Sequence, residues 1–286
     1  SNTAIGYLSL FDVTIGNTNI GIGQEAGTNL INGSTNVLIG TQVGATMTDT
    51  NHAIGIGYRA LYAVNDAGAN YAIGIGTSSL ASLTDGAANT AIGYQSGQFA
   101  TTAANCTFIG SNAGAGITGA KSTGNDNTAV GKDAGLLLQG AAHSNTFVGS
   151  TAGNVATTAV ENTVVGFNCD IYDATATNQI VIGNNLTGTD LDNSVYIGND
   201  SSHIQNDFNA DATWTHSSDI RQKKDINDNN LGLSFINEIR PVTYKHKSPS
   251  EFPKEWTAYD ADDKEPMGGD KTIHGLIAQE VKQALD

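Results

Sequence analysis

Basic side chains are nearly missing from most of this chain. Residues 1–216 hold three (Arg59, Lys121 and Lys132) against fifteen acidic ones, a balance of 3 − 15 = −12. Residues 217–286 hold ten against thirteen, or −3, which completes the total of −15. So acidic a first part repels phosphate backbones, and no basic cluster offers an anionic membrane a foothold, which argues against nucleic acid and membrane partners. Bulky side chains are also scarce: 4 Pro and 7% aromatic residues are little with which to build a compact core in 286 residues. The two cysteines, Cys106 and Cys169, form no CxxC pair, so neither a zinc site nor a disulfide framework is expected, and both read as small buried side chains. No apolar run is long enough to span a bilayer, and no signal peptide opens the chain, which reads as an internal piece of a longer polypeptide. The six histidines (52, 143, 203, 216, 246 and 274) lack HExxH or paired spacing, so no metal site is expected. The stretch from Asp260 to Glu265 has no Gly at its sixth place and reads as an exposed acidic loop rather than a calcium site. Gly21-Ile22-Gly23 lacks the third glycine of a dinucleotide fingerprint, and no phosphate-binding loop motif is present, so no cofactor is expected.

What is abundant is glycine, with 34 residues, and it is periodic. The motif Asn-x-[apolar]-[Ile/Val]-Gly recurs from Asn2 to about residue 198. Its marker glycines are Gly6, Gly23, Gly40, Gly57, Gly76, Gly93, Gly110, Gly131, Gly149, Gly166, Gly183 and Gly198, with successive spacings of 17, 17, 17, 19, 17, 17, 21, 18, 17, 17 and 15. Before each marker stands a β-branched and apolar stretch, such as Val37-Leu38-Ile39 or Ile180-Val181-Ile182, which suits a strand. Four residues after it comes a second Gly (Gly27, Gly44, Gly97) or a Leu (Leu10, Leu61, Leu80), so one unit reads as strand, glycine turn, second short strand and variable loop. A unit of about 17 residues buries no face alone, but stacking units at the strand spacing of roughly 4.8 Å makes each strand a template for the next. The marker glycine then supplies positive φ or close backbone approach, and the Asn caps a turn or pairs with its copy in the next rung. Extra residues, as in 116–126, are expected as outward loops.

On these motifs the first 198 residues resemble the parallel β-roll heads of YadA-like trimeric adhesins, whose repeats also read Asn-[Ser/Thr]-x-[Ala/Ser]-[Ile/Val]-Gly. The resemblance implies three chains wound about one axis with the Ile/Val residues facing inward. A thin roll with few aromatics gains much of its burial only if other chains cover its second face, which agrees with that expectation.

The repeat fades from residue 201, and residues 201–216 read as a polar linker. Then comes Ser217-Ser218-Asp219-Ile220-Arg221-Gln222-Lys223-Lys224-Asp225-Ile226. By themselves these residues read equally as a helix N-cap followed by a solvated face. An amphipathic segment with Leu231, Phe235, Ile236 and Ile239 follows, then Arg240-Pro241-Val242-Thr243-Tyr244, and later Gly275-Leu276-Ile277-Ala278-Gln279-Glu280-Val281. Blocks in that order resemble the opening of the S74 peptidase family, the intramolecular chaperones of phage tailspikes and fibres. The resemblance implies that Ser218 is a nucleophile, Lys223 its general base and Ser217-Ser218 the bond cut, in a single self-cleavage without activity on external substrates. A lysine serves as base only if desolvation or neighbouring cations, here Arg221 and Lys224, lower its pKa. The family also implies further sequence after residue 286.

The expected fold is therefore mostly β: a trimeric parallel β-roll of about 17-residue repeats over 1–200, a linker over 201–216, and the first part of a small α+β chaperone module over 217–286. The expected function is a homotrimeric tail fibre or appendage, on a virion and outside the cell, that attaches to a host-surface receptor (glycan or surface protein) and joins other fibre or virion proteins. A bacterial cell-surface adhesin sharing these parts is the alternative. A glycan-degrading tailspike would need a distinguished pair of carboxylates, and none stands out among the loop acids.

Overall fold

The computed structural model describes residues 1–65, 67–209, 232, 235, 238–254, 259–266 and 271–285. The chain divides into two units, Ser1–Trp214 and Thr215–Asp286.

The first unit is a β-solenoid. Its strands are β1 (Thr3–Ile5), β2 (Ile20–Ile22), β3 (Val37–Ile39), β4 (Ile54–Ile56), β5 (Ile73–Ile75), β6 (Thr90–Ile92), β7 (Thr107–Ile109), β8 (Thr128–Val130), β9 (Thr146–Val148), β10 (Thr163–Phe167), β11 (Gln179–Asn184), β12 (Ser194–Asn199) and β13 (Ser202–Asp207). They form one sheet in chain order, parallel throughout except where β13 turns back on β12. Pairing follows the repeat: Ile5 lies opposite Ile22, Ile22 opposite Ile39 and Ile39 opposite Ile56, and the longer units keep the same register. In the 21-residue unit the surplus leaves as a small hairpin closed between Ile117 and Ala120, while Ser122 still bridges Ala100 and Gly140 on its two sides. Of the segment 116–126 expected as an outward loop, Ile117, Thr118, Gly119 and Lys121 are exposed, whereas Gly116, Ser122 and Gly124 are buried, Ser122 in the stack itself.

The glycine corner sets how closely rungs approach. Gly6 has φ +128°, and a Cβ there would stand 2.6 Å from the carbonyl oxygen of Gly23; Gly40 faces Gly57 in the same way. Any larger residue would collide with backbone that cannot move.

Beside each strand runs a column of buried asparagines: Asn19, Asn36, Asn89, Asn127, Asn145 and Asn162. Each reaches forward by one rung. The Oδ1 of Asn145 accepts from the backbone N–H of Asn162 at 3.1 Å and from its side-chain amide at 3.0 Å, while the Asn145 Nδ2 donates to the Ala159 carbonyl at 2.7 Å. Asn36 repeats the pattern with Ala53 and Thr50. These bonds satisfy corner groups that lie too deep for water. A non-amide residue that follows an asparagine in the column still donates to it: the N–H of Cys106 donates to Asn89 Oδ1 at 2.9 Å. Both cysteines are buried within the roll.

The interior is packed by exchanging volume between two walls. The middle strand residue forms one wall and the residue four after the marker glycine forms the other. Leu38, Phe108 and Phe147 are fully buried, and they lie against Gly27 and Gly44, Gly97 and Gly114, and Gly135 and Gly153 respectively. Where the second wall instead carries Leu61 or Leu80, the strand offers Gly55, Gly74 or Ala91. This accounts for the Gly-or-Leu choice in the sequence.

Two expectations are corrected. The second limb of each unit is not a strand: residues two and four after the marker are left-handed, as at Glu25 (φ +57°) and Gly27 (φ +59°), and such alternation cannot extend. It keeps only single rung-to-rung bonds, for example Gly27 N–H to Val43 O at 2.9 Å. The polar stretch read as a linker opens with β13, whose backbone pairs residue by residue with β12. Its side chains are mostly exposed, so no apolar alternation marks it, and main-chain bonding to the last free edge draws it into the sheet.

In the second unit β14 (Val242–Tyr244) pairs antiparallel with β15 (Ile273–Gly275), followed by helix α1 (Ala278–Leu285). Residues 260, 262, 263 and 265 lie on an exposed acidic loop with Asp260 accepting from the N–H of Asp262.

Replacing Asn145 by Ala strands a buried N–H and a buried carbonyl, each costing about 1–3 kcal/mol, so Asn145→Ala is expected to lower the melting temperature of the roll markedly. Asn32→Ala, at an exposed amide, is expected to change it little. Equal melting temperatures for the two variants would contradict the buried ladder.

Candidate functional site

Ser217, Ser218 and Lys223, together with Arg221 and Lys224, lie outside the described residues. The described parts of the same unit bring two of its sequence blocks together. Val242, Thr243 and Tyr244 of the first block pair with Gly275, His274 and Ile273 at the start of the second. The guanidinium of Arg240 forms a two-point contact with Glu280, at 2.6 and 3.3 Å, which holds the Glu280 carboxyl below its ordinary pKa. The ion pair links residues 40 apart in sequence, and the strand pairing joins the same two segments. Helix α1 begins as Val281 N–H donates to Ile277 O at 3.0 Å.

On the roll, the twelve marker glycines stack along one corner, and the outer surface on either side of it differs in kind. Before the corner runs an unbroken column of Ile and Val: Ile5, Ile22, Ile39, Ile56, Ile75, Ile92, Ile109, Val130, Val148, Val165, Ile182 and Ile197 are successive register partners. These side chains point out of the single roll. Ile92, Ile109 and Ile182 are each more than a third exposed. Isolated apolar residues on a surface are ordinary, but a continuous ladder of them is a mark of an interaction face.

After the corner the column is polar with aromatic interruptions, which the sequence reading passed over. Tyr7, Tyr58, Tyr94 and Phe167 all occupy the place immediately after a marker glycine, and all are exposed. Their shared offset from the marker is the signal that would have found them. One place further on, polar side chains link successive rungs: Gln42 bridges Glu25 (2.8 Å) and Arg59 (2.8 Å), and the Arg59 guanidinium lies over the rings of Tyr58 and Tyr62. Asn112 donates to Asp133 at 2.9 Å, which with Lys132 holds that carboxyl low.

Two interior groups are shifted upward. Burial raises the Cys106 thiol, which disfavours the thiolate and makes it a packing residue rather than a nucleophile. Asp170 occupies the wall position held elsewhere by Gly or Leu. Burial pushes its carboxyl up to about 7, although the N–H groups of Val155 (3.2 Å) and Ile171 (3.0 Å) donate to it.

Among the described residues, no cluster of three or more His, Cys, Asp or Glu side chains is placed to hold a metal ion, and no helix is long and apolar enough to cross a membrane.

Compared with protein families, residues 218–286 match the family described as chaperone of endosialidase, Peptidase S74. The match starts at Ser218. No curated protein and no solved structure matches the chain. A β-solenoid joined to an S74 chaperone domain fits a fibre-type or endosialidase-type protein.

Asp170 gives the roll a pH dependence. Its folded pKa lies above the ordinary 3.8, so the native state binds the extra proton between about pH 4 and pH 7. Its contribution to stability is complete below pH 4 and is lost as pH rises through 7. Relative to the wild type, Asp170→Asn is therefore expected to gain melting temperature from pH 4 to pH 7 and then level off. A difference that does not vary with pH would refute the assignment.

Proposed function

We propose that this chain is a segment of a homotrimeric fibre. Three rolls pack their Ile/Val columns around a common axis, and the residues from 217 onward form an intramolecular chaperone. The observation that carries this reading is the ladder of outward Ile and Val side chains, continuous over twelve rungs, in a chain that also matches a chaperone family. Burying such a ladder contributes roughly 25 cal/mol per Å² of apolar surface removed from water. A roll left alone would keep that face wet.

Near-identical rungs create a registration problem. Sliding one chain by a rung places Ile on Ile again, so the bulk of the interface discriminates weakly between registers. A chaperone at one end sets the register before the rolls zip together. In this reading the chaperone then cleaves itself off: a neutral Lys223 takes the proton of the Ser218 hydroxyl, whose oxygen attacks the Ser217 carbonyl. The Ser217–Ser218 C–N bond breaks as the lysine returns the proton to the Ser218 nitrogen, and water hydrolyses the resulting Ser217 ester to a carboxylate and the free Ser218 hydroxyl, which separates the two parts. The remaining trimer is an extracellular appendage of a phage virion, presenting its loops to a receptor on the host surface.

Two measurements test this. Expression of the complete gene is expected to yield two fragments that meet before Ser218 by mass spectrometry, and one intact chain for both Ser218→Ala and Lys223→Ala; an uncleaved wild type would reject self-cleavage. In sedimentation the assembled fibre is expected at three times the chain mass, and Ile92→Asp with Ile109→Asp, which place charge in the apolar column, is expected to sediment as a folded monomer. A wild-type monomer with a stable roll would overturn the trimer.

A further inference from the structure

The last parallel rungs differ from the others beyond the glycine corner. The two places after the marker hold Phe167-Asn168 in β10, Asn184-Asn185 in β11 and Asn199-Asp200 at the end of β12. Phe167, Asn184 and Asn199 are successive register partners, so they stand in one column at the strand spacing of roughly 4.8 Å. Asn168, Asn184, Asn185 and Asn199 line an open, shallow groove of about 780 Å³ together with Thr187, Asp200 and Ser201.

The groove is preorganised on one side and unsatisfied on the other. Asn199 Oδ1 accepts from the N–H groups of Ser201 (3.0 Å) and Ser202 (2.8 Å), which fixes the turn that carries Asp200 and Ser201. Asn168 Nδ2 donates to Asn185 Oδ1 at 3.1 Å, which holds both amides in place. The Nδ2 groups of Asn185 and Asn199 and the whole amide of Asn184 have no protein partner among the described residues. Phe167 does not line the groove but borders it as the register neighbour of Asn184, and its ring is 56% exposed, an apolar surface left in water beside the amides.

The chemistry selects a ligand class. No Lys or Arg occurs between Lys132 and Arg221, so nothing in these rungs compensates the charge of a sialylated, sulfated or phosphorylated group, and Asp200 repels one. A peptide adding itself as a strand finds no free edge at the groove, because β11 and β12 are hydrogen-bonded on both sides and the free edge at this end of the sheet is that of β13. Amides that offer a donor and an acceptor side by side, a carboxylate acceptor and a bare aromatic face are what a neutral sugar requires: hydroxyls on its edge and C–H groups on its face. We infer that this groove binds a neutral oligosaccharide, with one pyranose ring on Phe167 and hydroxyls of this and the following sugars on Asn184, Asn199 and Asp200. The inference rests on the fibre reading for its biological sense, since it names the ligand class of the attachment surface.

The test uses the full chain, with its mass checked by sedimentation, on an array of neutral, sialylated and sulfated oligosaccharides, followed by calorimetric titration with the neutral oligosaccharide bound most strongly. Binding to neutral glycans is expected. Phe167→Ala and Asn184→Ala are each expected to weaken it about tenfold or more, equivalent to about 1.4 kcal/mol, at unchanged melting temperature, while Tyr172→Ala, at an exposed ring outside the groove, leaves it unchanged. Binding confined to acidic glycans, no binding, or a Phe167→Ala variant that binds like the wild type would overturn the assignment. A trimer that binds no neutral glycan sinks the groove and leaves the fibre reading standing; a monomer that binds one does the reverse.

Discussion

Close stacking of backbone on backbone at the glycine corner governs the rest of the roll. With no Cβ in the way, the corner of one rung comes to rest against the carbonyl of the next, and the strands can then exchange hydrogen bonds along the whole stack. That stacking also carries a cost. Each rung places ordinary residues in the left-handed region, Leu8, Leu10 and Thr18 in the first and Glu25 and Thr35 in the second, at roughly 1–2 kcal/mol apiece. One rung by itself could not sustain such a conformation. The bonds it gives to and receives from its neighbours offset the strain, so stability belongs to the stack, as in other solenoids.

The same constraint organises the side chains. Rungs locked at one spacing leave an interior of fixed width, so a Phe on one wall requires Gly on the other, as Phe108 does of Gly97 and Gly114. It also forces every outward position into a column. An Ile repeated at one place becomes an apolar ladder along the fibre axis, while the neighbouring place becomes a row of amides and aromatic rings. In the proposed fibre, assembly and recognition use adjacent stripes of one surface, separated only by the glycine corner. Two of the three cations of the roll are held locally, Arg59 by two tyrosines and Gln42, and Lys132 by Asp133.

In the second unit the described residues explain why its sequence blocks recur as a set. Residues 242–244 and 273–275 are strand partners, and Arg240 and Glu280 are ion-pair partners, so the blocks are remote in sequence and adjacent in space. The helical turn in which Ile239 N–H donates to Phe235 O belongs to the segment between the proposed nucleophile and the first of these strands.

The amino-acid sequence by itself determined the period, the stacking of strands and the place of the asparagines as a turn cap or rung-to-rung pair, because each repeats at one offset from a marker glycine and a repeated offset has only one geometric meaning in a stack. It also sufficed to assign the second unit, through motifs confined to short contiguous blocks. Only the tertiary structure decided what depends on facing residues from different rungs. That the limb after the glycine is a left-handed turn, that Gly and Leu there answer the bulk of Leu38 or Phe147, that Asp170 is pressed into an apolar wall, and that Ser202–Asp207 caps the sheet are all consequences of contacts across the stack. Main-chain pairing leaves no trace in side-chain type, and volume exchange shows in the sequence only as an alternation of Gly and Leu at one offset, whose cause becomes visible when the rungs are laid on one another.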